Sequence, residues 1–177
     1  PIGTAGLTLD PKDTREVIAS VDSQGEDLTL YWKSSDTSVA EVTSSSDTKT
    51  GFIKGVSTGR ATITVGGDGI QPVTFHVTVS GIRTATDSIT IKENESVALA
   101  TLPELSIECL GTANSSDARF TIATDKANVV RVTGRTLENL TVDGVAPGIA
   151  RITIIATVSS KTYQVQFSVT VESNEAE

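Results

Sequence analysis

Residues with catalytic or metal-binding chemistry are few in this sequence and widely spaced. It contains one histidine, His76, and one cysteine, Cys109. Zinc sites and Cys–His nucleophile pairs need such side chains close together, so we expect neither. A lone cysteine cannot form an intramolecular disulfide, and Cys109 is interpreted as a small buried apolar residue. We therefore predict no catalytic residue, no cofactor and no metal site.

Paired carboxylates can support hydrolysis, and three pairs are close in sequence: Asp10 with Asp13, Glu26 with Asp27, and Glu93 with Glu95. Each pair lies in a predicted turn, where carboxylates are solvated. Asp87 is a candidate calcium ligand near a predicted domain junction, but its spacing from other acids matches no calcium loop. The stretch at 66–69, GGDG, joins two predicted strands, so a hairpin turn explains it better than a phosphate-binding loop.

The bulk composition disfavours several classes of partner. There are 22 acidic and 14 basic residues, for a formal net charge of -8, which opposes binding to nucleic acid or to anionic membrane surfaces. No apolar stretch approaches the roughly 18 to 20 residues of a membrane-spanning helix, so no membrane insertion by this fragment is predicted. The sequence lacks methionine even at position 1, which indicates an internal or processed piece of a longer protein.

Short runs of alternating apolar and polar residues, separated by Gly, Asp, Asn and Pro, predict an all-β fold. In the first half the predicted strands cover residues 6–9, 16–21, 28–33, 39–43, 51–54, 60–65 and 73–79. Seven short strands with frequent turns are typical of an immunoglobulin-like sandwich. Trp32 is the predicted core anchor, and its replacement by alanine is expected to cost about 3 to 5 kcal/mol.

The same alternation assigns the other side chains to a face of each strand. The predicted inward set comprises Leu28, Leu30, Ala61, Ile63, Val65, Val73, Phe75, Val77, Val79, Phe120 and Phe167. His76 then faces solvent. Tyr31, Phe52 and Tyr163 remain as candidate exposed aromatics for glycan contact, but they are too scattered to define a site.

The second half of the chain repeats the first. Residues 29–43, TLYWKSSDTSVAEVT, align with 119–133, RFTIATDKANVVRVT, which pairs Trp32 with Ile122. This predicts two modules, 1–81 and 82–177, with the boundary near Ser80 to Thr86 and an acidic tail on the second module. The second module carries about ten extra residues between its second and third strands, around 102–117.

Residues 32–42, WKSSDTSVAEV, and 51–64, GFIKGVSTGRATIT, resemble the bacterial immunoglobulin-like domain group 2 (Big_2). That family occurs in intimin and invasin-type adhesins, surface-layer proteins and some phage virion proteins. The second copy keeps GVAPG at 144–148 but has Ile122 in place of the tryptophan. Gly59 and Gly148 are expected to need positive φ, and Asp36 and Asp125 are expected to cap tight turns.

The resemblance implies two tandem immunoglobulin-like β-sandwiches with Greek-key-type connections. It further implies a non-catalytic structural or adhesive module of a bacterial cell-surface or secreted protein, acting as a spacer that displays or connects neighbouring domains. Two alternatives stay open. In the first, the chain is an adhesin segment that contacts a host protein or glycan through its loops. In the second, it is an accessory domain of a secreted carbohydrate-active enzyme or phage virion protein.

Overall fold

The computed structural model describes residues 6–20 and 28–174, and in this part the chain is built from strands and short 3-10 turns, without an α-helix. The all-β prediction is therefore confirmed. The first seven strands are β1 (Leu7–Leu9), β2 (Thr14–Ile18), β3 (Leu30–Ser34), β4 (Ala40–Ser44), β5 (Thr50–Gly55), β6 (Gly59–Gly67) and β7 (Ile70–Val79). They follow the predicted strands to within a few residues. The strand predicted at 16–21 begins and ends earlier, at Thr14–Ile18, and Val21 lies outside the described residues.

The remaining strands are β8 (Gly81–Arg83), β9 (Ser88–Lys92), β10 (Ser96–Ala98), β11 (Glu108–Leu110), β12 (Arg119–Thr124), β13 (Val130–Thr133), β14 (Thr141–Gly144), β15 (Gly148–Val158) and β16 (Lys161–Glu172). Three 3-10 turns accompany them, at Leu99–Thr101, Gly111–Asn114 and Leu137–Asn139. The first of these turns directly precedes the insertion predicted around 102–117, and the second lies in it.

The chain divides into two compact units. The first runs to Gly81 and also takes in Leu110–Thr112, whereas the second comprises Ile82–Cys109 and the chain from Ala113 onward. These units differ from the predicted ranges 1–81 and 82–177 in the placement of Leu110–Thr112. Within the first unit, Thr112 donates its backbone N–H to Ser80 Oγ at 3.0 Å, and Gly111 has a φ of +57°.

Both units have the same sheet order. In the first, one sheet runs β1-β7-β6-β3 and the other β2-β5-β4; in the second, the matching sheets run β9-β16-β15-β12 and β10-β14-β13. The opening strand of each copy pairs parallel with the last strand, as β1 with β7 and β9 with β16. The chain crosses from one sheet to the other at most connections, which is the Greek-key pattern of immunoglobulin-like sandwiches.

Each unit has its own apolar core, built from alternate residues of facing strands. The first core contains Leu9, Val17, Val39, Ala40, Ile53, Ala61, Ile63, Phe75, Val77 and Val79. Trp32 and Val65 are half-buried against it. Most of the predicted inward set is thus confirmed. Val73 is an exception, since 63% of it is exposed: it has the parity of the inner face, but β7 continues there beyond the core.

Three glycines of the motif at 51–64 are required by close packing. A Cβ on Gly51 would lie 2.5 Å from Cε3 of Trp32, and one on Gly55 would lie 2.6 Å from the carbonyl oxygen of Asp10. A Cβ on Gly59 would lie 2.6 Å from Val39. The expectation of positive φ at Gly59 is wrong, because the neighbouring Val39 sets the constraint there. Gly148, its counterpart, does have a φ of +153°.

A tight turn after β3 is closed by the carboxylate of Asp36, as predicted. Asp36 Oδ1 accepts hydrogen bonds from the backbone N–H of Ser38 at 3.0 Å and from its hydroxyl at 2.5 Å. These bonds, the side-chain bond first, lower the pKa of Asp36 below its ordinary value. Asp125 acts differently from the prediction: its carboxylate accepts from the N–H of Arg151 on β15 at 2.7 Å. Ser35 accepts from Thr62 in the same way at 2.8 Å in the first unit.

Candidate functional site

The single histidine and the single cysteine lie in different units and form no pair. His76 is exposed on the outer face of β7, where its Nδ1 is 3.2 Å from the hydroxyl of Thr62. Cys109 lies on β11 and is only 9% exposed. Burial raises the pKa of the Cys109 thiol, and the neighbouring carboxylate of Glu108 adds to this effect. A thiol of this kind is a poor nucleophile at neutral pH.

Two of the three carboxylate pairs identified in the sequence are part of turns. The backbone N–H of Asp13 donates to the carbonyl oxygen of Asp10 at 3.1 Å, and Glu95 Oε2 accepts from the N–H of Lys92 at 2.7 Å. Glu26 and Asp27 lie outside the described residues. Among residues 6–20 and 28–174, no group of three His, Cys, Asp or Glu side chains is arranged to hold a metal ion, and this includes the surroundings of Asp87.

The glycine-rich stretch at 66–69 forms the hairpin between β6 and β7, as predicted. Gly67 pairs with Ile70 across the turn. Gly69 has a φ of +73°, and a Cβ at this position would have no atom within 4 Å, so the backbone conformation alone favours glycine there. None of the described segments forms a helix long and apolar enough to cross a membrane.

The three aromatic candidates for glycan contact do not come together. Tyr31 is 49% exposed beside Gly66 on the outer face of its sheet, and Phe52 is 38% exposed on β5 of the other sheet. Tyr163 was expected among the exposed aromatics and is instead only 8% exposed. The reason is that it belongs to the apolar core of the second unit, to which Cys109 and Ala113 of the insertion also contribute.

A cleft of about 330 Å³ lies in the second unit, between the insertion and the 3-10 turn at Leu137–Asn139. Its apolar floor is lined by Cys109, Ala113, Ala118, Phe120 and Leu137. Phe120 and Leu137 are half-buried against the core of the unit. We call this feature, with its floor and rim, the insertion cleft.

The rim of the insertion cleft is polar and is formed by Asn114, Ser115, Ser116, Thr136 and Glu138. The turn that carries Glu138 is closed by Asn139, whose side-chain oxygen accepts from the N–H groups of Arg135 and Thr136, each at 2.8 Å. On the other side, the hydroxyl of Ser115 accepts from the N–H of Asp117 at 3.3 Å. Both walls of the cleft are therefore held by local capping bonds.

Sequence analysis located the insertion but not this cleft. The Asn-Ser-Ser run at 114–116 and the Thr-Leu-Glu run at 136–138 are ordinary turn compositions. The one feature that could have drawn attention to them is that both runs lie in connections between strands whose sequences differ between the two units.

Comparison with known proteins matches part of the chain. The family model for the bacterial Ig-like domain (group 2) matches residues 7–71, within the first unit. No curated protein is significantly similar to the chain. Among solved structures, domains 4 and 5 of the S-layer protein SbsC share 21% identity at a TM-score of 0.39, covering 83% of this chain and 71% of that one.

Two further structures show similarity of the same size. Domains 1–6 of surface layer protein SbsC share 18% identity at a TM-score of 0.40, over 86% of this chain and 21% of that one. The endo-fucoidan hydrolase MfFcnA4 from glycoside hydrolase family 107 shares 14% identity at a TM-score of 0.32, over 96% of this chain and 28% of that one. These similarities are too weak to assign an activity. The match to the model of the bacterial Ig-like domain (group 2) covers residues 7–71, which is less than half of the chain.

Proposed function

We propose that this chain is a non-catalytic structural module of a bacterial cell-surface or secreted protein, in which two sandwich domains connect or display neighbouring domains. The match of residues 7–71 to the bacterial Ig-like family carries this proposal. Supporting it, the described His, Cys and carboxylate side chains singled out for chemistry are dispersed over turns, an outer sheet face and the core, and Cys109 is the one of them that lines the insertion cleft.

We also infer that the second unit is a divergent copy of the same domain. Its two sheets have the same strand order as those of the first unit. Gly144 pairs with Val130 as Gly55 pairs with Ala40. A Cβ on Gly144 would clash with the carbonyl oxygen of Lys92, as one on Gly55 would with that of Asp10. Such a shared backbone approach is expected of homologous copies whose side chains have diverged.

The spacer role is tested by replacement within the parent protein. Exchanging residues 1–177 for two unrelated β-sandwich domains of similar length should preserve the function of the flanking domains, because a spacer contributes length and folding but no specific contact. Deleting the same residues should impair that function. Loss of function in the exchanged protein, with the flanking domains still folded and exported, would contradict the spacer role.

A further inference from the structure

We propose that the insertion cleft of the second unit binds a neutral sugar residue, namely a pyranose ring with free hydroxyl groups. This goes beyond the spacer role, since a spacer requires no ligand site. In the first unit, the connection between β2 and β3 is about ten residues shorter in sequence than the connection that carries the insertion, and the described connection between β4 and β5 contains no 3-10 turn.

The floor of the insertion cleft suits the apolar face of a sugar ring. Phe120 and Leu137 are half-buried, so each presents part of its side chain to the cleft, and Ala118 lies beside them. A pyranose carries its C–H groups on its faces and its hydroxyls around the edge. An apolar floor below a polar rim matches this division, and small-molecule sites generally combine apolar lining with a few orienting polar groups.

The rim provides polar groups that are not otherwise engaged. The side chains of Asn114, Ser116 and Glu138 are exposed and make no hydrogen bond to any described residue. An amide and a hydroxyl each offer both donors and acceptors, and a carboxylate accepts from two donors at once. Hydroxyl groups at the edge of a sugar ring can satisfy all three side chains.

The charge of the residues that line the insertion cleft disfavours anionic and cationic ligands. No Lys, Arg or His lines the insertion cleft within the described residues, so phosphate, sulfate or carboxylate groups would find no opposite charge there. A cationic amine would meet one carboxylate, Glu138, which is exposed and therefore contributes little attraction. A neutral ligand remains.

The size of the cleft sets the expected affinity. At about 330 Å³ it lies at the lower end of the range for ligand sites, which suits one or two sugar rings. At roughly 0.3 kcal/mol per non-hydrogen atom, a single ring binds with a Kd on the order of a millimolar.

The test is a titration of the full 15N-labelled chain with the methyl glycosides of glucose, galactose, mannose, N-acetylglucosamine and fucose, followed by amide spectra. We expect at least one glycoside to shift the signals of residues 113–120 and 136–138 saturably. The signals of the first unit should stay in place, which provides an internal control within the same sample.

Variants of the rim connect binding to the cleft. Glu138→Gln and Asn114→Ala should each raise the Kd about tenfold, because the first replaces a charged acceptor by a weaker neutral one and the second removes the amide that bonds to the sugar. Ser116→Trp should abolish the shifts by filling the cleft. Glu104→Gln is the matched control: Glu104 is an exposed acid of the same insertion that does not line the cleft, so its Kd should equal that of the unaltered chain.

Three results would overturn the proposal. The first is that no glycoside shifts the cleft signals at concentrations well above the expected Kd. The second is that the shifts spread over both units or that Glu104→Gln weakens binding as much as Glu138→Gln. The third is that n-butylammonium chloride, titrated in parallel, shifts the cleft signals where the glycosides do not, since the ligand would then be a cation.

Discussion

The two units complete the same sandwich core with different side chains. In the first, the ring of Trp32 lies on Gly51, and its Nε1 donates to the carbonyl oxygen of Thr48 at 2.8 Å. In the second, the counterpart of Trp32 is Ile122, and the counterpart of Gly51 is the buried Leu140. Gly51 lies four residues before Gly55, and Leu140 lies four residues before Gly144, the glycine with the equivalent pairing in the second unit. A large and a small residue in one copy correspond to two of intermediate size in the other.

The insertion supplies further core volume to the second unit. Leu105 and Ala113 are fully buried and Cys109 is nearly so, and all three belong to the same core as Ile122 and Leu140. Protein interiors are close-packed, so the loss of a tryptophan must be offset by other apolar groups. The comparison indicates that filled core volume is kept between the copies, while the residues that fill it are not.

The largest expected effect comes from truncating the insertion inside the core. Leu105→Ala should destabilise the second unit by about 4 kcal/mol, because Leu105 is 0% exposed and the change leaves a cavity. Chemical unfolding followed by circular dichroism measures this change. Trp32 is the only tryptophan and lies in the first unit, so its fluorescence transition should not move. A cost below about 0.5 kcal/mol would mean that the insertion is a surface loop and not core.

Trp32→Ala should destabilise the first unit by about 3 kcal/mol, at the lower end of the cost for a core tryptophan, because this side chain is half-buried. Calorimetry of the full chain detects the effect without tryptophan fluorescence. Ile122→Ala, at the equivalent position, is the matched comparison and should cost less, since the insertion shares the packing there. If the two substitutions destabilised their units equally, the idea that the two cores are filled in different ways would be contradicted.

Exchanging the residue pair tests the size relation directly. Trp32→Ile and Gly51→Leu should each destabilise the first unit, one by leaving a void above Gly51 and the other by colliding with the ring. Combined, they should cost about 1 to 2 kcal/mol less than the sum of the single changes, because the leucine fills the void. Strict additivity in this double-mutant cycle, measured by urea unfolding, would show that the two positions are not coupled.

The smallest expected difference between the units appears at low pH. The pKa of Asp36 is lowered by hydrogen bonds from Ser38. In the second unit, the residue aligned with Asp36 is Lys126. A depressed folded-state pKa stabilises above the unfolded value, near 3.8, and the stabilisation is lost as pH falls through the folded value. Ser38→Ala should therefore raise the pKa of Asp36 in an NMR titration and weaken the pH dependence of first-unit stability below about pH 4. An unchanged pKa would contradict this.

Strand positions were predictable because a half-buried sheet imposes a period of two on apolar residues. The assignment was correct for Ala61, Ile63 and Val77, which are all buried. Val73 shows where the alternation is insufficient, since it has inward parity yet is 63% exposed. Tyr163 was a candidate exposed aromatic although it shares the parity of Phe167, and its burial, at 8% exposure, follows the alternation. Parity indicates the face of a sheet on which a side chain lies, but it does not indicate whether anything covers that face.

The sequence alone determined the all-β class and the scarcity of reactive side chains, because these depend on residue type and local spacing. Only the tertiary structure decided that residues of the insertion join a core, and that two turn sequences, 114–116 and 136–138, face each other across a cleft. These relations join residues far apart in the chain. They arise when facing sheets and loops pack to fill volume, a requirement that local spacing does not encode.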